Sequence, residues 1–286
     1  ANAALAAAES ARLAPAYTAD GRRIAVESVD RASGNRDIWV YDLAGRSLPV
    51  HWTFDPGDEA TPVWSPDDTR IAYSSRQVVD PAKPERWTVE VKSARGEDTE
   101  TRLLSIDGPA YGYLTDWSKD SALIALNRPS PETRNDVWML SVRDRSASIA
   151  LQTKAEDRDA VFSPDGRWVS YMSSESGRWE VYVRAFPGPG GRWQISTGGG
   201  YQPCWQPDGK ALFYLGLDGR LMHVPVRTGA GFEADLGEPL ELPGGLLGRG
   251  RCRDGESPVV RPVDQVEREA GIGAGEDRVD PCRVGI

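Results

Sequence analysis

The chain has 286 residues and a formal net charge of −9, from 34 basic and 43 acidic residues. An acidic balance of this size disfavours nucleic acid or an anionic membrane surface as a partner. No apolar stretch approaches the roughly 18–20 residues that a membrane-spanning helix requires.

Residues 1–13 form the N-terminal edge of the sequence. They are rich in alanine and begin Ala1-Asn2-Ala3-Ala4-Leu5, without a methionine. The segment is too short and too uncharged to be a signal peptide. We interpret it as the edge of a longer or processed protein, and we expect the chain to be part of a larger multidomain protein.

Between residues 14 and 245 one short sequence motif recurs at a nearly constant interval. An aromatic residue precedes a turn of the type Ser-Pro-Asp-Gly, and an apolar run follows the turn. Proline and aspartate favour such a turn, and glycine tolerates its positive φ. The five copies are Tyr17-Thr18-Ala19-Asp20-Gly21, Trp64-Ser65-Pro66-Asp67-Asp68, Trp117-Ser118-Lys119-Asp120-Ser121, Phe162-Ser163-Pro164-Asp165-Gly166 and Trp205-Gln206-Pro207-Asp208-Gly209.

Each repeat is predicted to contain four short strands. The apolar run after the turn, such as Ile71-Ala72-Tyr73, is the second strand, and an alternating segment such as Asp37-Ile38-Trp39-Val40-Tyr41 is the third. The shared aspartates are 47, 53, 45 and 43 residues apart. A period of about 40–50 residues with four strands per unit is typical of a β-propeller. The sequence therefore predicts an all-β fold with five clear propeller blades in residues 14–245.

Some turns depart from the repeated pattern. Ala19 and Lys119 replace the proline, and Asp68 and Ser121 replace the glycine. We expect looser turns in the first three repeats.

Residues 246–286 form an atypical tail. No aromatic residue follows Phe232, yet Arg253-Asp254-Gly255 falls on the repeat period, 46 residues after Asp208. Two interpretations stay open: a diverged sixth blade, or an out-of-frame translation of a former blade. The overall prediction is a six-bladed β-propeller whose sixth blade is incomplete or degraded.

The run from Phe162 to Val226 and the segment Asn35–Leu43 resemble the TolB-type, WD-like propeller repeat of bacteria. Similar propellers are attached to bacterial kinases and transcription regulators, where they are sensor, docking or scaffold modules. The resemblance implies a propeller with a protein or peptide partner and favours a periplasmic or extracytoplasmic location. It does not identify the ligand.

The sequence offers no strong catalytic or metal-binding motif. His51 and His223 are the only histidines, whereas a propeller metal enzyme needs several histidines that converge. No G-x-S-x-G nucleophile motif is present. We therefore expect no catalytic residue, no resident metal and no cofactor.

The candidate binding residues come from the loops between blades. Alternate loops of an antiparallel blade emerge on the same face, so the loops between blades are expected to surround the mouth of the central channel. Tyrosines beside charged residues are typical of recognition surfaces; the alternative is that these tyrosines pack against the first strands. The candidates are Asp58, Glu59, Tyr111, Tyr113, Asp157, Arg158, Asp159, Tyr201 and Gln202.

Three functional hypotheses follow. The first is a non-catalytic binding, sensor or docking propeller that uses the channel mouth for a protein, peptide or small ligand. The second is a propeller enzyme, a hydrolase or a lyase, that acts through Asp58, Glu59, Asp157 and Asp159. The third is a purely structural repeat segment with no ligand.

Overall fold

The computed structural model describes residues 15–29, 34–45, 47–77, 86–96, 100–107, 112–188, 190–229 and 231–240. Every regular element in these residues is a β-strand, which confirms the prediction of an all-β chain. The predicted N-terminal edge and the predicted tail, which carries the sixth blade, lie outside the described residues. The blade count of six therefore stays a prediction.

The strands form five sheets in which strands consecutive in the chain are neighbours. Sheet 1 contains β1 (Ala16–Tyr17), β2 (Arg23–Val29), β3 (Arg36–Asp42) and β4 (Val50–His51). Sheet 2 contains β5 (Asp58–Trp64), β6 (Arg70–Gln77), β7 (Arg86–Ser93) and β8 (Thr101–Asp107). Sheet 3 contains β9 (Tyr113–Trp117), β10 (Leu123–Ser130), β11 (Arg134–Ser141) and β12 (Ser146–Leu151).

The remaining two sheets follow the same order. Sheet 4 contains β13 (Asp157–Phe162), β14 (Trp168–Ser173), β15 (Glu180–Ala185) and β16 (Arg192–Gln194). Sheet 5 contains β17 (Tyr201–Trp205), β18 (Ala211–Leu215), β19 (Leu221–Arg227) and β20 (Glu233–Ala234), and β21 (Glu238–Pro239) also pairs with β19. Each sheet contains one copy of the repeat, as predicted.

The described residues divide into two compact units, one ending at Ala160 and the other beginning at Val161, inside β13. The first unit holds sheets 1 to 3. The second holds sheet 5 and most of sheet 4. Each unit has its own apolar core.

In the first unit the repeated aromatic residue lies between successive sheets. Trp64 of sheet 2 packs with Ala25 and Ile38 of sheet 1, and Trp117 of sheet 3 packs with Val63 of sheet 2. In the second unit a cluster that contains Trp205 of sheet 5 joins it to sheet 4 in the same way. An amphipathic sheet buries its faces only by stacking on a neighbour, and the aromatic residues fill that contact.

The same aromatic residues also make directed contacts with the preceding sheet. The Trp64 indole donates a hydrogen bond to the Ala16 carbonyl at 3.0 Å, and the Trp205 indole donates to the Val161 carbonyl at 3.3 Å. Ala16 and Val161 both stand one residue before the aromatic of their own repeat. The Arg23 guanidinium lies 4.6 Å from the centre of the Trp64 ring, a cation–π contact. Packing between sheets is therefore specified by geometry as well as by burial.

The turns after the first strands are closed by the same backbone hydrogen bond in all five copies, and in four of them a serine or threonine hydroxyl also donates to the turn aspartate. The Ser65 hydroxyl donates to Asp67 Oδ1 at 2.5 Å, and the Ser118 hydroxyl donates to Asp120 at 2.6 Å. The amides of Asp68 and Ser121 reach the serine carbonyl at 2.9 and 2.8 Å, as the Gly166 amide does at 2.9 Å. Asp68 and Ser121 adopt φ values of 57° and 61°.

The expectation of looser turns at Asp68 and Ser121 is therefore wrong. Both residues take the left-handed conformation that glycine takes elsewhere, at a cost that their turn hydrogen bonds offset. Asp68 also contacts the preceding repeat, because its Oδ1 accepts a hydrogen bond from the Ala19 amide at 2.9 Å.

Two ends can be distinguished in each sheet. The strand-start edge carries the beginning of the first strand and the end of the second: Asp58 pairs with Arg76, and Tyr113 pairs with Asn127. The turn edge carries the Ser-Pro-Asp-Gly-type turns. This arrangement within each sheet is the one that the repeat predicts.

We predict that Trp64→Ala lowers the free energy of unfolding by about 3–5 kcal/mol, because it empties a buried aromatic site in which Trp64 is 7% exposed. Denaturant unfolding measures the change. The matched control is Phe54→Ala, which removes an aromatic side chain that is 72% exposed and should cost less than about 1 kcal/mol. Equal losses in the two variants would show that Trp64 does not join the sheets.

We predict that the Asp67 turn contributes stability that is lost in acid. The Ser65 hydroxyl, and then the Thr69 hydroxyl, lower the pKa of Asp67 to about 2. A carboxyl with a lowered folded pKa stabilises the protein above its unfolded pKa of about 4, and this contribution disappears as the pH falls towards 2. Asp67→Asn should flatten the stability profile in this window. Glu132→Gln, which removes an exposed carboxylate, should leave the profile steep; the opposite ranking would contradict the prediction.

Candidate functional site

The candidate residues lie in strands rather than in the loops between sheets. Asp58 and Glu59 open β5, Tyr113 opens β9, and Asp157, Arg158 and Asp159 open β13. Tyr201 and Gln202 open β17, and Tyr111 lies outside the described residues. The expected loop position is thus corrected for eight of the nine candidates. Each of these first strands begins several residues before its aromatic residue. In β5 and β17 a bulge shifts the register, and pairing with the second strand continues on the far side of the bulge.

The bulges of the first strands recur at one position of the repeat. The register of β5 shifts between Ala60 and Val63, and that of β17 shifts between Tyr201 and Cys204. Thr61, Asp159 and Gln202, each three residues before the aromatic, have φ values of 50°, 54° and 51°. A positive φ in a non-glycine residue costs about 1–3 kcal/mol and persists only where surrounding contacts hold it.

Asn127 holds Asp159, with its positive φ, through two hydrogen bonds. Its side-chain amide donates to Asp159 Oδ1 at 2.9 Å, and its side-chain oxygen accepts from the Asp159 backbone amide at 3.0 Å. Asn127 belongs to β10 of sheet 3, whereas Asp159 belongs to β13. The second strand of one sheet therefore fixes the first strand of the next.

The same arrangement recurs in other repeats with different side chains. Glu27 of β2 accepts a hydrogen bond from the Thr61 amide at 3.5 Å, and Met172 of β14 accepts from the Gln202 amide through its sulfur at 3.2 Å. In sheet 2 the Ser74 hydroxyl donates to the Gly112 carbonyl at 2.5 Å. We call these residues the latch residues: Glu27, Ser74, Asn127 and Met172, each seven residues after its turn aspartate.

Around Asp58 the strand-start edge of sheets 1 and 2 carries alternating charges. Asp58 Oδ2 lies 3.3 Å from Arg76 Nη1, and Asp58 Oδ1 accepts from the Arg36 amide at 3.2 Å. The Arg36 guanidinium lies 3.3 Å from Glu27 Oε1. Burial raises the pKa of Glu27 to about 7, although the charge of Arg36 opposes the rise. The groups that stay partly exposed here are the guanidiniums of Arg36 and Arg76 and the carboxylate of Asp58.

Arg158 is held in place by a buried carboxylate. Its Nε donates to Glu156 Oε1 at 2.7 Å, and Asn135 donates to the same oxygen at 2.5 Å. The Glu156 side chain is 6% exposed and the Arg158 side chain 28% exposed. The guanidinium is therefore oriented before any ligand arrives, while part of it faces solvent.

Two of the candidate carboxylates are inaccessible. Glu59 and Asp157 are both 0% exposed. Glu59 Oε1 accepts from the Ser75 hydroxyl at 3.2 Å, and Asp157 Oδ2 accepts from the Thr153 amide at 2.7 Å. Burial, with a further contribution from Asp55, raises the pKa of Glu59 to about 8. These two groups act within the fold and do not offer oxygens to a ligand from solvent.

Tyr113, Tyr201 and Gln202 are half-buried at the beginning of their strands. Burial raises the pKa of Tyr201. The side-chain oxygen of Gln202 is itself buried. The half-burial of the two tyrosines fits a recognition role and a packing role equally.

The site has no arrangement typical of metal chemistry in the part of the chain that the structure describes. No group of three or more histidine, cysteine, aspartate or glutamate side chains there could hold a metal ion. His51 lies 3.0 Å from Asp37 and stacks on Trp39 with ring centres 4.5 Å apart. Among the same residues, no helix is long and apolar enough to cross a membrane.

The sequence interpretation missed the latch residues and the partners of the half-exposed arginine. Glu27, Asn127 and Met172 differ in chemistry, so no shared residue type marks them. Their constant distance from the turn aspartate is the signal that could have identified them. Glu156 lies two residues before Arg158, and this spacing, which places two side chains on one side of an extended segment, could have identified the pair. Asn135 gives no such signal, since only the fold brings it to Glu156.

No protein-family model matches the chain. A search of curated proteins finds an uncharacterized peptidase, YuxL, from Bacillus subtilis (strain 168), which is 26% identical over 209 residues. The match covers 56% of this chain but only 29% of the relative. The chain thus spans less than a third of the length of that relative.

Solved structures give a clearer result. A putative TolB from Agrobacterium tumefaciens superposes with a TM-score of 0.61 at 17% identity, over 79% of this chain and 80% of that one. TolB from Acinetobacter baumannii gives 0.56 at 18% identity, over 75% and 49% of the chains. An oligogalacturonate lyase from Vibrio parahaemolyticus gives 0.53 at 15% identity, over 78% and 64%. The protein has a TolB-type β-propeller fold.

Proposed function

We propose that the protein is a non-catalytic binding module that recognises a protein or peptide through the strand-start edges of its sheets. What carries the proposal is the oriented guanidinium of Arg158, which is 28% exposed and held by the buried Glu156. An arginine fixed in this way loses little side-chain entropy when it binds a carboxylate or a backbone carbonyl.

The bulged strands supply a second reason. Bulges re-aim side chains and are over-represented at functional positions. Here Gln202 stands at a bulge and Asp159 has the same positive φ, and side chains of the preceding sheets hold both residues. Positions fixed by the scaffold in this way can differ chemically between repeats while the backbone stays the same, which suits a recognition surface.

Tyr113 and Tyr201 complete the proposed surface of each unit. Tyrosine gives a large contact area at a low entropic cost, and tyrosine and arginine are enriched among residues that dominate binding energy. The TolB structures that resemble the chain support the fold on which this proposal depends. The binding of a protein partner by this chain is our proposal.

The alternative, an enzyme that acts through Asp58, Glu59, Asp157 and Asp159, has less support. A catalytic carboxylate must reach its substrate, and two of these four groups are fully buried. The oligogalacturonate lyase and the prolyl endopeptidases that resemble the chain are 15% and 17% identical to it, so they inform the fold alone.

We predict that peptides selected from a random display library on the intact protein lose affinity when the strand-start edge is altered. Tyr113→Ala, Arg158→Ala and Tyr201→Ala are tested one at a time. In at least one of the two units, each variant that removes a side chain in contact with the peptide should lower the binding free energy by about 1 kcal/mol or more. Isothermal titration calorimetry measures the affinity, and thermal unfolding checks that each variant is folded.

The matched controls are Arg22→Ala and Lys210→Ala, which remove cations that are 75% and 80% exposed at turn edges. They should leave peptide affinity unchanged. Peptides whose binding depends on Arg22 or Lys210 and ignores all three strand-start variants would contradict the proposed function. Unfolding of the tyrosine variants, with Arg158→Ala folded and unaffected in binding, would favour the packing interpretation.

A further inference from the structure

The turn edge of the first unit contains a cavity that the proposed function does not use. Its volume is about 240 Å³. It lies between sheet 2 and the β11–β12 turn of sheet 3. The lining residues are Arg70, Val91, Lys92, Ser93, Thr101, Leu103, Val142 and Arg145.

The charge of the lining is opposite to that of the chain. Two cationic side chains, Arg70 and Arg145, line the cavity with guanidiniums, and none of its described lining residues is acidic. The whole chain carries a net charge of −9. Two cations beside a concave surface produce a local positive potential that favours an anion.

The Arg70 guanidinium is held in position by a tryptophan. It lies 5.3 Å from the centre of the Trp117 ring. A cation stacked on an aromatic face keeps its N–H donors available at its edge. Lys92 lines the cavity, but its Nζ lies 3.4 Å from the Trp52 carbonyl and 3.6 Å from Glu100 on the other face of sheet 2.

The charge of the two arginines is only partly balanced within the described part of the chain. No described carboxylate forms an ion pair with Arg70 or Arg145. The pKa of Asp67 is lowered by the Ser65 and Thr69 hydroxyls and, to a smaller extent, by the charge of Arg70. Asp144, beside Arg145 in the sequence, accepts from the Ser141 hydroxyl at 2.8 Å.

The floor of the cavity is apolar. Val91 and Leu103 are 6% and 5% exposed and belong to the core between sheets 2 and 3, with Val142 packed against them. Hydroxyl donors come from Ser93 and Thr101. The lining therefore combines two guanidiniums and two hydroxyls with an apolar floor. The volume of the cavity is near the lower limit for ligand sites, which is about 300 Å³.

We propose that this cavity binds a small organic phosphate, with the phosphate between Arg70 and Arg145 and a short apolar group against Val91 and Leu103. Two guanidiniums match the three oxygens of a phosphate, whose double negative charge they can balance. The site is separate from the strand-start edge, so the chain has two binding surfaces at opposite edges of its sheets.

The test is calorimetric titration of the intact protein with phenyl phosphate, inorganic phosphate and benzoate in a phosphate-free buffer of low ionic strength. Phenyl phosphate should bind most tightly, because it uses both the cations and the apolar floor. Arg145→Gln should weaken its binding about tenfold, as expected when a charged hydrogen-bond partner is lost. Arg70→Gln should do the same, and thermal unfolding reports any loss of stability from the Trp117 contact.

Arg22→Gln is the matched control, since it removes a guanidinium that is 75% exposed at the turn edge of sheet 1. It should leave the affinity for phenyl phosphate unchanged. Binding of benzoate as tightly as phenyl phosphate would overturn the assignment to a phosphate. Absence of binding to the folded wild-type chain, or equal weakening by Arg22→Gln and Arg145→Gln, would overturn the site itself.

Discussion

The structure depends on one repeated constraint, which is that the first strand of a sheet is fixed by the second strand of the sheet before it. At Asp159 the constraint consists of two hydrogen bonds, because Asn127 binds both the side chain and the backbone amide of Asp159. Asp159, which this contact holds, has a φ of 54°. Sheets that only stacked apolar faces could slide, whereas a directed hydrogen bond to a strained backbone fixes their register.

This constraint links the fold to the proposed function. The latch residue occupies the end of a second strand, and the residue it holds opens a first strand, so both lie at the strand-start edge. The hydrogen bonds that hold Asp159 also fix the backbone of its neighbour Arg158, and a binding residue that is fixed in advance loses less entropy when a ligand binds. The turn edge uses other devices, such as Asp68, whose carboxylate reaches the Ala19 amide. The two edges therefore use different contacts on one scaffold.

Local chemistry made the sheets and the turns predictable from sequence. The alternation of residue types in Asp37–Tyr41 predicts a strand, and the residues of Phe162–Gly166 predict a tight turn. The positions of Asp58 and Arg158 within strands were not predictable, because a bulge depends on a side chain about thirty residues earlier. The cavity between Arg70 and Arg145 was hidden for a similar reason: its residues share no period and meet only through the packing of sheets 2 and 3.

A double-mutant cycle between Asn127 and Asp159 tests the latch most directly. Asn127→Ala, Asp159→Ala and the double variant are compared by denaturant unfolding, and a second cycle pairs Asn127→Ala with Asp144→Ala at the turn edge. If the latch joins the sheets, the first cycle gives a coupling free energy of about 1–2 kcal/mol and the second is additive within about 0.5 kcal/mol. Additivity in both cycles would contradict a directed contact between these strands and leave burial alone to hold the sheets together.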